Sequence, residues 1–325
     1  MRVAIVGCGR IGQRRARALG ADILVVCADV VRERADALAE TSPGARSVAS
    51  WREAVEQRDV NVVVVATPHH LLAQVTLAAV AAGKHVLVEK PGARSAAELG
   101  PVINAARSMG VLVRVGFNHR YHPGARKARE LVDAGGVGEL LYVRGRYGHG
   151  GRLGYEKEWR ADPAVSGGGE LVDQGVHLID LARWFLGEFQ DVQGFAQRYF
   201  WDMPVEDNGF LLLRTATRKV AALHASWTEW KNLFSFEIFG RTGKLEMTGL
   251  GGSYGVERLA YYRMLPEMGP PETTIWEYPM PDISWGLEFA EFMEDIRRRR
   301  QPVPGLADAR AALQIVERVY EAGGA

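Results

Sequence analysis

Short apolar runs alternate with amphipathic stretches along the first third of the chain. The apolar runs occupy residues 3–6, 23–28, 61–66 and 86–88, and most of their members are β-branched. Such runs are typical of strands buried on both faces of a sheet. Helix-like stretches separate them, for example at residues 14–19 and 69–82. Strands that alternate with helices predict a parallel, doubly wound sheet.

The pattern changes after residue 120. A helix over about 123–134 is followed by strand-like runs at 140–147, 192–200, 209–215, 220–228, 234–240 and 243–248. Consecutive strands without intervening helices predict a mainly antiparallel sheet. Helical periodicity at 287–299 and 307–322 predicts two closing helices. We therefore predict an α/β chain, with a parallel sheet in residues 1–120 and an α+β domain with an open, mainly antiparallel sheet in residues 121–325.

Composition excludes several classes of partner. The 325 residues are 47% hydrophobic and carry a formal net charge of +1, which gives no field to attract nucleic acid or a membrane. No apolar run approaches the length of a membrane span, and no targeting peptide precedes the first strand. Cys8 and Cys27 lie in apolar strand-like segments, so a disulfide framework is not expected. We expect a cytoplasmic protein.

A glycine motif follows the first strand. Gly7, Gly9 and Gly12 form a G-x-G-x-x-G sequence that leads into a helix. In the dinucleotide-binding Rossmann fold these glycines permit a tight turn, close approach of a pyrophosphate, and close packing of helix on strand. Asp29 ends the second strand, where a carboxylate binds both ribose hydroxyls, so NAD is favoured over NADP. Arg32 could instead accept a 2′-phosphate, and Asp29 could merely cap the next helix.

A second motif lies on a mostly apolar helix. Asp173, His177 and Asp180 are four and three residues apart, so they share one helix face. Buried carboxylates and imidazoles are costly unless they pair or do chemistry. Asp173 can orient the ring of His177 one turn away, whereas we expect a structural role for Asp180. His119 and His122 have no cysteine or clustered carboxylate beside them, so no metal site is predicted.

Further motifs extend the pattern. They are Ala66-Thr67-Pro68, the sequence AGKHV at 82–86, Glu89-Lys90-Pro91 and Gly167-Gly168-Gly169. In order and separation these motifs resemble the Gfo/Idh/MocA oxidoreductases over nearly the whole chain. The resemblance implies that Lys90 contacts the reacting hydroxyl near the nicotinamide, and that Asp173 and His177 form the proton-transferring pair. It also implies oligomer contacts through the open sheet.

These considerations define a predicted site. The predicted catalytic residues are Lys90, Asp173 and His177. The predicted cofactor-binding residues are Gly7, Gly9, Arg10, Ile11, Gly12, Asp29, Arg32, Thr67, Pro68, His70, Glu89, Lys90, Asn118 and Arg160. A loop-like stretch at 148–169 precedes the Asp173 helix, and long loops in compact domains often bind ligands, although a disordered surface loop is the alternative. The predicted substrate contacts are Lys90, His149, Tyr155, Trp159, Asp173 and His177.

The expected reaction is NAD-dependent oxidation of a secondary hydroxyl on a sugar-like ring, or the reverse reduction, in a homodimer or homotetramer. Two substrate classes stay open. An amino sugar or aminoglycoside would suit the aromatic and acidic side chains Tyr155, Trp159, Trp201, Trp227, Trp230, Glu156, Glu158, Glu206, Asp207 and Glu229. The phosphates of a nucleotide-linked sugar would suit Arg144, Arg146, Arg152 and Arg160. The rival functions are a sugar dehydratase or glycosidase with transient NAD oxidation, and a non-catalytic NAD-sensing regulator.

Overall fold

A computed structural model of the chain describes residues 1–20 and 22–323. Strands and helices alternate to residue 116 as β1 (Arg2–Val6), α1 (Arg10–Arg17), β2 (Ile23–Ala28), α2 (Arg32–Ala39), β3 (Arg46–Val48), α3 (Trp51–Glu56), β4 (Val62–Val65), α4 (His69–Ala81), β5 (His85–Glu89), α5 (Ala96–Met109) and β6 (Val113–Gly116). Within the described residues, six strands form a parallel sheet in the order β3-β2-β1-β4-β5-β6. This is the order of a doubly wound dinucleotide-binding sheet, so the predicted Rossmann fold is confirmed.

Local sequence explains these elements. β4 consists of four valines that are all fully buried, as expected for a central strand covered on both faces. Ser95 precedes α5, and its side chain accepts a hydrogen bond from the backbone N–H of Glu98, which satisfies one free donor of the first turn. Gly110 ends the same helix in the left-handed conformation at φ +64°.

The chain continues through a 3₁₀ turn at Asn118–Tyr121. It then forms α6 (Pro123–Asp133), β7 (Leu140–Gly148), α7 (Pro163–Ser166), a π-helical turn at Leu171–Gly175, α8 (Val176–Leu186), β8 (Phe189–Gln197), β9 (Asn208–Thr215), β10 (Val220–Ser226), β11 (Leu233–Gly240), β12 (Gly243–Thr248), β13 (Glu257–Arg263), β14 (Glu272–Tyr278), α9 (Ser284–Arg298) and α10 (Leu306–Gly323). Counting only described residues, eight strands form a second sheet in the order β14-β13-β12-β11-β7-β10-β9-β8. β7 and β10 pair in parallel and the other neighbours run antiparallel, which confirms the predicted mainly antiparallel sheet.

The sequence analysis did not identify β3, β6, β13 or β14. β14 is the edge strand of the second sheet, and most of its residues are exposed on both faces. An edge strand of this kind carries charged and polar side chains in place of an alternating pattern, so periodicity does not reveal it.

The two faces of β7 have different surroundings. Val143, Gly145 and Tyr147 are buried, and a Cβ atom on Gly145 would lie 3.1 Å from the side chain of Leu178 in α8. α8 therefore covers this face of the second sheet. Side chains alternate along a strand, so the exposed Arg144 and Arg146 lie on the opposite face.

The chain divides into two compact units. The first contains Met1–Phe117, Ala164–Gly167 and Trp285–Leu313, and the second contains Asn118–Pro163, Gly168–Ser284 and the described residues from Gln314 onward. The predicted second domain contains 164–167 and 285–313, and this division places both stretches in the first unit, where α9 packs on the parallel sheet. One apolar cluster contains Val3, Ile5, Phe289, Phe292 and Met293. Residues 324 and 325 of the predicted second domain lie outside the described residues.

Candidate active site

The glycine loop after β1 shows why each glycine is required. Gly7 has φ +93°, and a Cβ atom there would lie 2.4 Å from the carbonyl oxygen of Ala66. A Cβ atom on Gly12 would lie 2.0 Å from the carbonyl oxygen of Gly7. A Cβ atom on Gly9, by contrast, would have no atom within 4 Å. The protein itself requires the first and third glycines, whereas the second faces open space, as close approach of a pyrophosphate demands.

Asp29 follows β2 and anchors the same loop. Its carboxylate accepts hydrogen bonds from the backbone N–H groups of Cys8 at 2.7 Å and Val31 at 2.8 Å. Val31 occupies the N-cap position of α2, and it makes no side-chain cap. Asp29 therefore joins the glycine loop to the turn before α2, and its oxygens keep further lone pairs for ribose hydroxyls. Arg32 is exposed and pairs with Asp36 at 3.2 Å.

The other predicted cofactor residues of this unit lie at the carboxyl ends of its strands or in the helix turns that follow. Arg10 and Ile11 begin α1, Thr67 and Pro68 link β4 to α4, His70 is in the first turn of α4, and Lys90 follows β5. Ligands of doubly wound sheets bind at this edge. Among the described atoms, Thr67 Oγ1 and His70 Nδ1 are buried without a hydrogen-bond partner. Such buried polar groups fit a site that a polar ligand fills.

Glu89 has a structural role that the sequence did not indicate. Its carboxylate binds the guanidinium of Arg15 at 2.6 Å, and Arg15 also binds Glu288 of α9. Trp285 stacks on the same guanidinium at 4.4 Å. A Cβ atom at position 116 would lie 2.5 Å from the guanidinium, so Gly116 makes room for it. Glu89, predicted as a cofactor contact, is thus one carboxylate of a buried ion cluster that links α1, β5 and α9.

In the second unit, the segment that contains Asp173 is not the regular α-helix that its spacing predicts. Residues Leu171–Gly175 form a π-helical turn, and α8 begins at Val176. Asp173 accepts a hydrogen bond from Arg160 Nε at 2.8 Å. Arg160 was predicted as a cofactor contact, and here it holds the carboxylate of a predicted catalytic residue. Single π-helical turns inside helices often mark functional sites.

His177 lies in the first turn of α8 among aromatic rings. The exposed fraction of His177 is 5%, and its ring stacks on that of His119 with centroids 3.8 Å apart. Tyr147 of β7 approaches His177 edge-on at 6.1 Å. Burial is the main cause that holds the pKa of Tyr147 well above its usual range, and the nearby Tyr254 raises this pKa further. Burial raises the pKa of Tyr254 to about 12. Both phenols therefore stay neutral at ordinary pH, and that of Tyr147 lies beside His177.

Asp180 has the structural role that we expected. Its two carboxylate oxygens accept hydrogen bonds from Arg120 at 2.6 and 2.7 Å, and the aspartate is fully buried. The ion pair ties α8 to the Asn118–Tyr121 turn. Asn118, a predicted cofactor contact, donates its side-chain N–H to Ser284 Oγ at 2.9 Å.

The loop after β7 is packed around aromatic side chains. Tyr155 is buried against Trp227, with ring centroids 5.0 Å apart, in an apolar cluster that Trp201 joins. His149 Nδ1 accepts a hydrogen bond from the backbone N–H of Gly151 at 2.9 Å. Trp159 is half-buried and lies 4.5 Å from the guanidinium of its neighbour Arg160. Tyr155 anchors the loop, and its substrate contact stays a prediction, as do those of His149 and Trp159.

Two acidic residues that the sequence analysis suggested as substrate contacts have structural roles. Glu206 accepts hydrogen bonds from the backbone N–H groups of Gly169 and Leu171 and from the hydroxyl of Tyr320 at 2.7 Å. Burial raises the pKa of Glu206. Asp207 accepts hydrogen bonds from backbone N–H groups of the turn at 199–201. Both carboxylates hold backbone segments of the second unit.

Sequence reasoning did not place His119 beside His177, because stacking is a tertiary contact that spacing does not encode. No group of three or more histidine, cysteine, aspartate or glutamate side chains in the described ranges is arranged to hold a metal ion. None of the helices in those ranges has both the length and the apolar character that a membrane span requires.

The fold and the glycine loop define an NAD-binding oxidoreductase. Residues 1–117 match the model for an oxidoreductase family with an NAD-binding Rossmann fold, and residues 125–246 match the GFO/IDH/MocA C-terminal domain. The chain therefore belongs to the Gfo/Idh/MocA family.

Named relatives act on sugars and sugar derivatives. Levoglucosan dehydrogenase of Pseudarthrobacter phenanthrenivorans is 29% identical, over 85% of this chain and 81% of its own. The dTDP-3,4-didehydro-2,6-dideoxy-alpha-D-glucose 3-reductase of Actinomadura kijaniata is 31% identical, over 76% and 74%. A solved structure of levoglucosan dehydrogenase with NADH and L-sorbose has a TM-score of 0.88, covers 99% of this chain and 97% of its own, and at 24% identity supports the fold.

Proposed function

We propose that the chain oxidises a secondary hydroxyl of a sugar-like ring with NAD, or reduces the corresponding ketone. The observation that carries the proposal is the cluster around His177, in which a buried imidazole lies beside the neutral phenol of Tyr147 and follows the ion-paired Asp173. A buried imidazole of this kind is suited to proton transfer near neutral pH. The named relatives, a sugar dehydrogenase and a nucleotide-sugar reductase, support the substrate class.

Each predicted catalytic residue has a distinct role in the proposal. His177 takes the proton of the reacting hydroxyl, and Asp173 stabilises the imidazolium that forms. The ion pair with Arg160 keeps the carboxylate of Asp173 in place. Lys90 donates a hydrogen bond to the same oxygen and stabilises its developing negative charge. Bound NAD supplies the hydride acceptor, and the glycine loop and Asp29 hold its pyrophosphate and ribose.

Among the substrate classes we favour a free or amino-substituted sugar over a nucleotide-linked sugar. Phosphate recognition needs available guanidinium groups. Arg144 is paired with Glu237, Arg152 with Glu158, and Arg160 with Asp173. Arg144 and Arg146 also lie on the exposed face of β7, opposite Tyr147. Three of the four arginines that suggested a diphosphate group are therefore ion-paired, and Arg146 lies on the exposed face.

The test is a turnover assay with NAD and a panel of neutral sugars, anhydro sugars, amino sugars and one nucleotide-linked sugar. Steady formation of NADH with a sugar supports the proposal. Conversion of the sugar without net NADH would identify transient oxidation instead. NAD binding without conversion of any sugar would favour an NAD-sensing regulator.

The proton-transfer role is tested with His177→Ala. Turnover should fall by roughly 10²- to 10⁴-fold, the usual scale of general acid–base catalysis. The dissociation constant for NAD should not change, because the glycine loop belongs to the other unit. His224→Ala is the matched control, because that ring stacks on Phe210 instead. Near-normal turnover in His177→Ala would contradict the role.

Lys90→Ala should also lose turnover, and the variant that lacks both Lys90 and His177 should lose less than the product of the single effects.

A further inference from the structure

His119 encloses one face of the His177 ring. The two ring planes are 17° from parallel and their centroids are 3.8 Å apart, and each residue is 5% exposed. Other rings approach His119 at an angle: Tyr147 at 5.0 Å, His122 at 5.6 Å and Phe234 at 5.6 Å. A ring confined on several sides has few alternative rotamers, so His119 is a fixed surface for its partner.

The stack also constrains charge. Two imidazolium ions at this separation repel each other strongly in a partly desolvated site, so a second proton is disfavoured once the first is bound. The titratable groups that face the pair from the surrounding elements are Tyr147 and His122, and Asp173, Glu170 and Tyr254 interact with Tyr147. The two acids favour the first proton, and the phenols add no charge. A face-to-face stack offers no in-plane hydrogen bond between the rings, so His119 acts by packing and charge.

We propose that His119 is a positioning residue for His177, whose ring it holds in one plane, and that the two rings together hold at most one proton. The positioning role rests on the proposed function of His177, whereas the single-proton property does not. When His177 accepts a proton from substrate, the positive charge would form beside a neutral ring held at van der Waals distance.

The single-proton property can be measured without any substrate. The protein is labelled at its eight histidines, saturated with NAD, and titrated while the ring-carbon signals are followed by NMR. His119→Phe and His177→Phe assign the two signals and keep a ring in each place. In the wild type, the second proton should enter the pair at least about one pH unit below the midpoint of the single histidine left in each variant. Identical midpoints in the wild type and the variants would overturn this part of the proposal.

The positioning role is measured with whichever sugar gives NADH. His119→Phe should keep kcat within about threefold, because a stacked ring remains, whereas His119→Ala should lower kcat about tenfold or more through misplacement of His177. KM for NAD should not change in either variant. Thermal unfolding of both variants, with His224→Ala as control, separates this effect from loss of folded protein.

Equal losses of kcat in the two variants, or no loss in either, would overturn the positioning role. The proposed function would still stand if His177→Ala alone abolished turnover. Full activity of His177→Ala, with the coupled titration observed, would overturn the catalytic role and leave the single-proton pair in place. The two failures are therefore distinguishable.

Discussion

Asp29 combines two tasks in one carboxylate. It fixes the glycine loop through the N–H groups of Cys8 and Val31, and it ends β2 where a ribose is expected. Arg32, the residue that could favour NADP, is turned toward Asp36 and exposed. The local charge around the ribose position is therefore set mainly by Asp29, which would repel a 2′-phosphate.

We predict that the wild type binds NAD more tightly than NADP, and that Asp29→Asn reduces this preference by roughly tenfold or more, the worth of a hydrogen bond to a charged group. Asparagine keeps one side-chain acceptor for the loop and removes the charge. Calorimetric titration with both cofactors measures the ratio, and Asp36→Asn is the control, because it frees Arg32 without changing Asp29. Tighter binding of NADP to the wild type would contradict the prediction and point to Arg32.

At the residue scale, sequence reasoning was most successful where a motif dictates backbone geometry. The glycine loop follows from residue type and spacing, whereas Asp180 was expected to be structural without its distant partner Arg120 being identified. The partners of Glu89 and Glu206 do not, because each carboxylate meets groups that are far away in sequence, Arg15 and Tyr320. Residue type alone cannot separate an acid that binds substrate from one that satisfies backbone N–H groups.

At the element scale, the glycine loop permits a test that separates fold from ligand binding. We predict that Gly9→Ala leaves the thermal stability of the NAD-free protein unchanged, because its backbone has φ −70° and the added Cβ meets nothing. The same change should weaken NAD binding by roughly 10- to 100-fold, as an overpacked contact of about 1–3 kcal/mol would.

Gly12→Ala is the matched variant of the same loop. Its Cβ atom would meet the carbonyl oxygen of Gly7, so this variant should unfold at a lower temperature even without NAD. Calorimetry and thermal unfolding of both variants provide the comparison. A stability loss of equal size in the two variants would show that Gly9 serves the fold and not the ligand.

Elements whose apolar residues recur with a regular period were predicted closely, and elements without such a period were not. β12 was predicted with its observed bounds, because its apolar residues alternate between the two faces. The π-helical turn at Leu171–Gly175 escaped prediction, because an added residue in a helix leaves no mark in the apolar pattern. The helix that carries His177 was therefore predicted, but the geometry of Asp173 was not.

At the scale of the whole molecule, the outer face of the second sheet carries an apolar row. Phe195 pairs with Phe210 across β8 and β9, and Phe210 stacks on His224 of β10. Phe195 is 66% exposed and Leu212 is 51% exposed. Contiguous exposed apolar surface usually marks an interface, so we expect a homodimer or homotetramer that uses this face.

Light scattering at micromolar concentration tests this expectation. Leu212→Glu and Phe195→Glu should each be more monomeric than the wild type, because burial of an unpaired carboxylate in an interface costs several kcal/mol of desolvation free energy. Val256→Glu places the same charge at an exposed apolar position outside the strands and should leave the oligomer intact. A monomeric wild type would refute the expectation.

The division of the chain was the least predictable property at this scale. An amphipathic pattern shows that α9 buries one face, but it does not identify the sheet on which that face packs. The apolar cluster that Phe289 and Phe292 share with β1 assigns α9 to the parallel sheet.

That assignment has a consequence for biosynthesis. A ribosome adds about 5–20 residues per second and domains generally fold as units during synthesis, so about 10–40 seconds separate the completion of β6 from the completion of α9 at Arg298. During this interval the nascent parallel sheet lacks its α9 cover, and side chains such as Val3 and Ile5 are less protected than in the finished protein. Exposed apolar surface on an incomplete domain is prone to aggregation, so the order of translation affects how safely the parallel sheet folds.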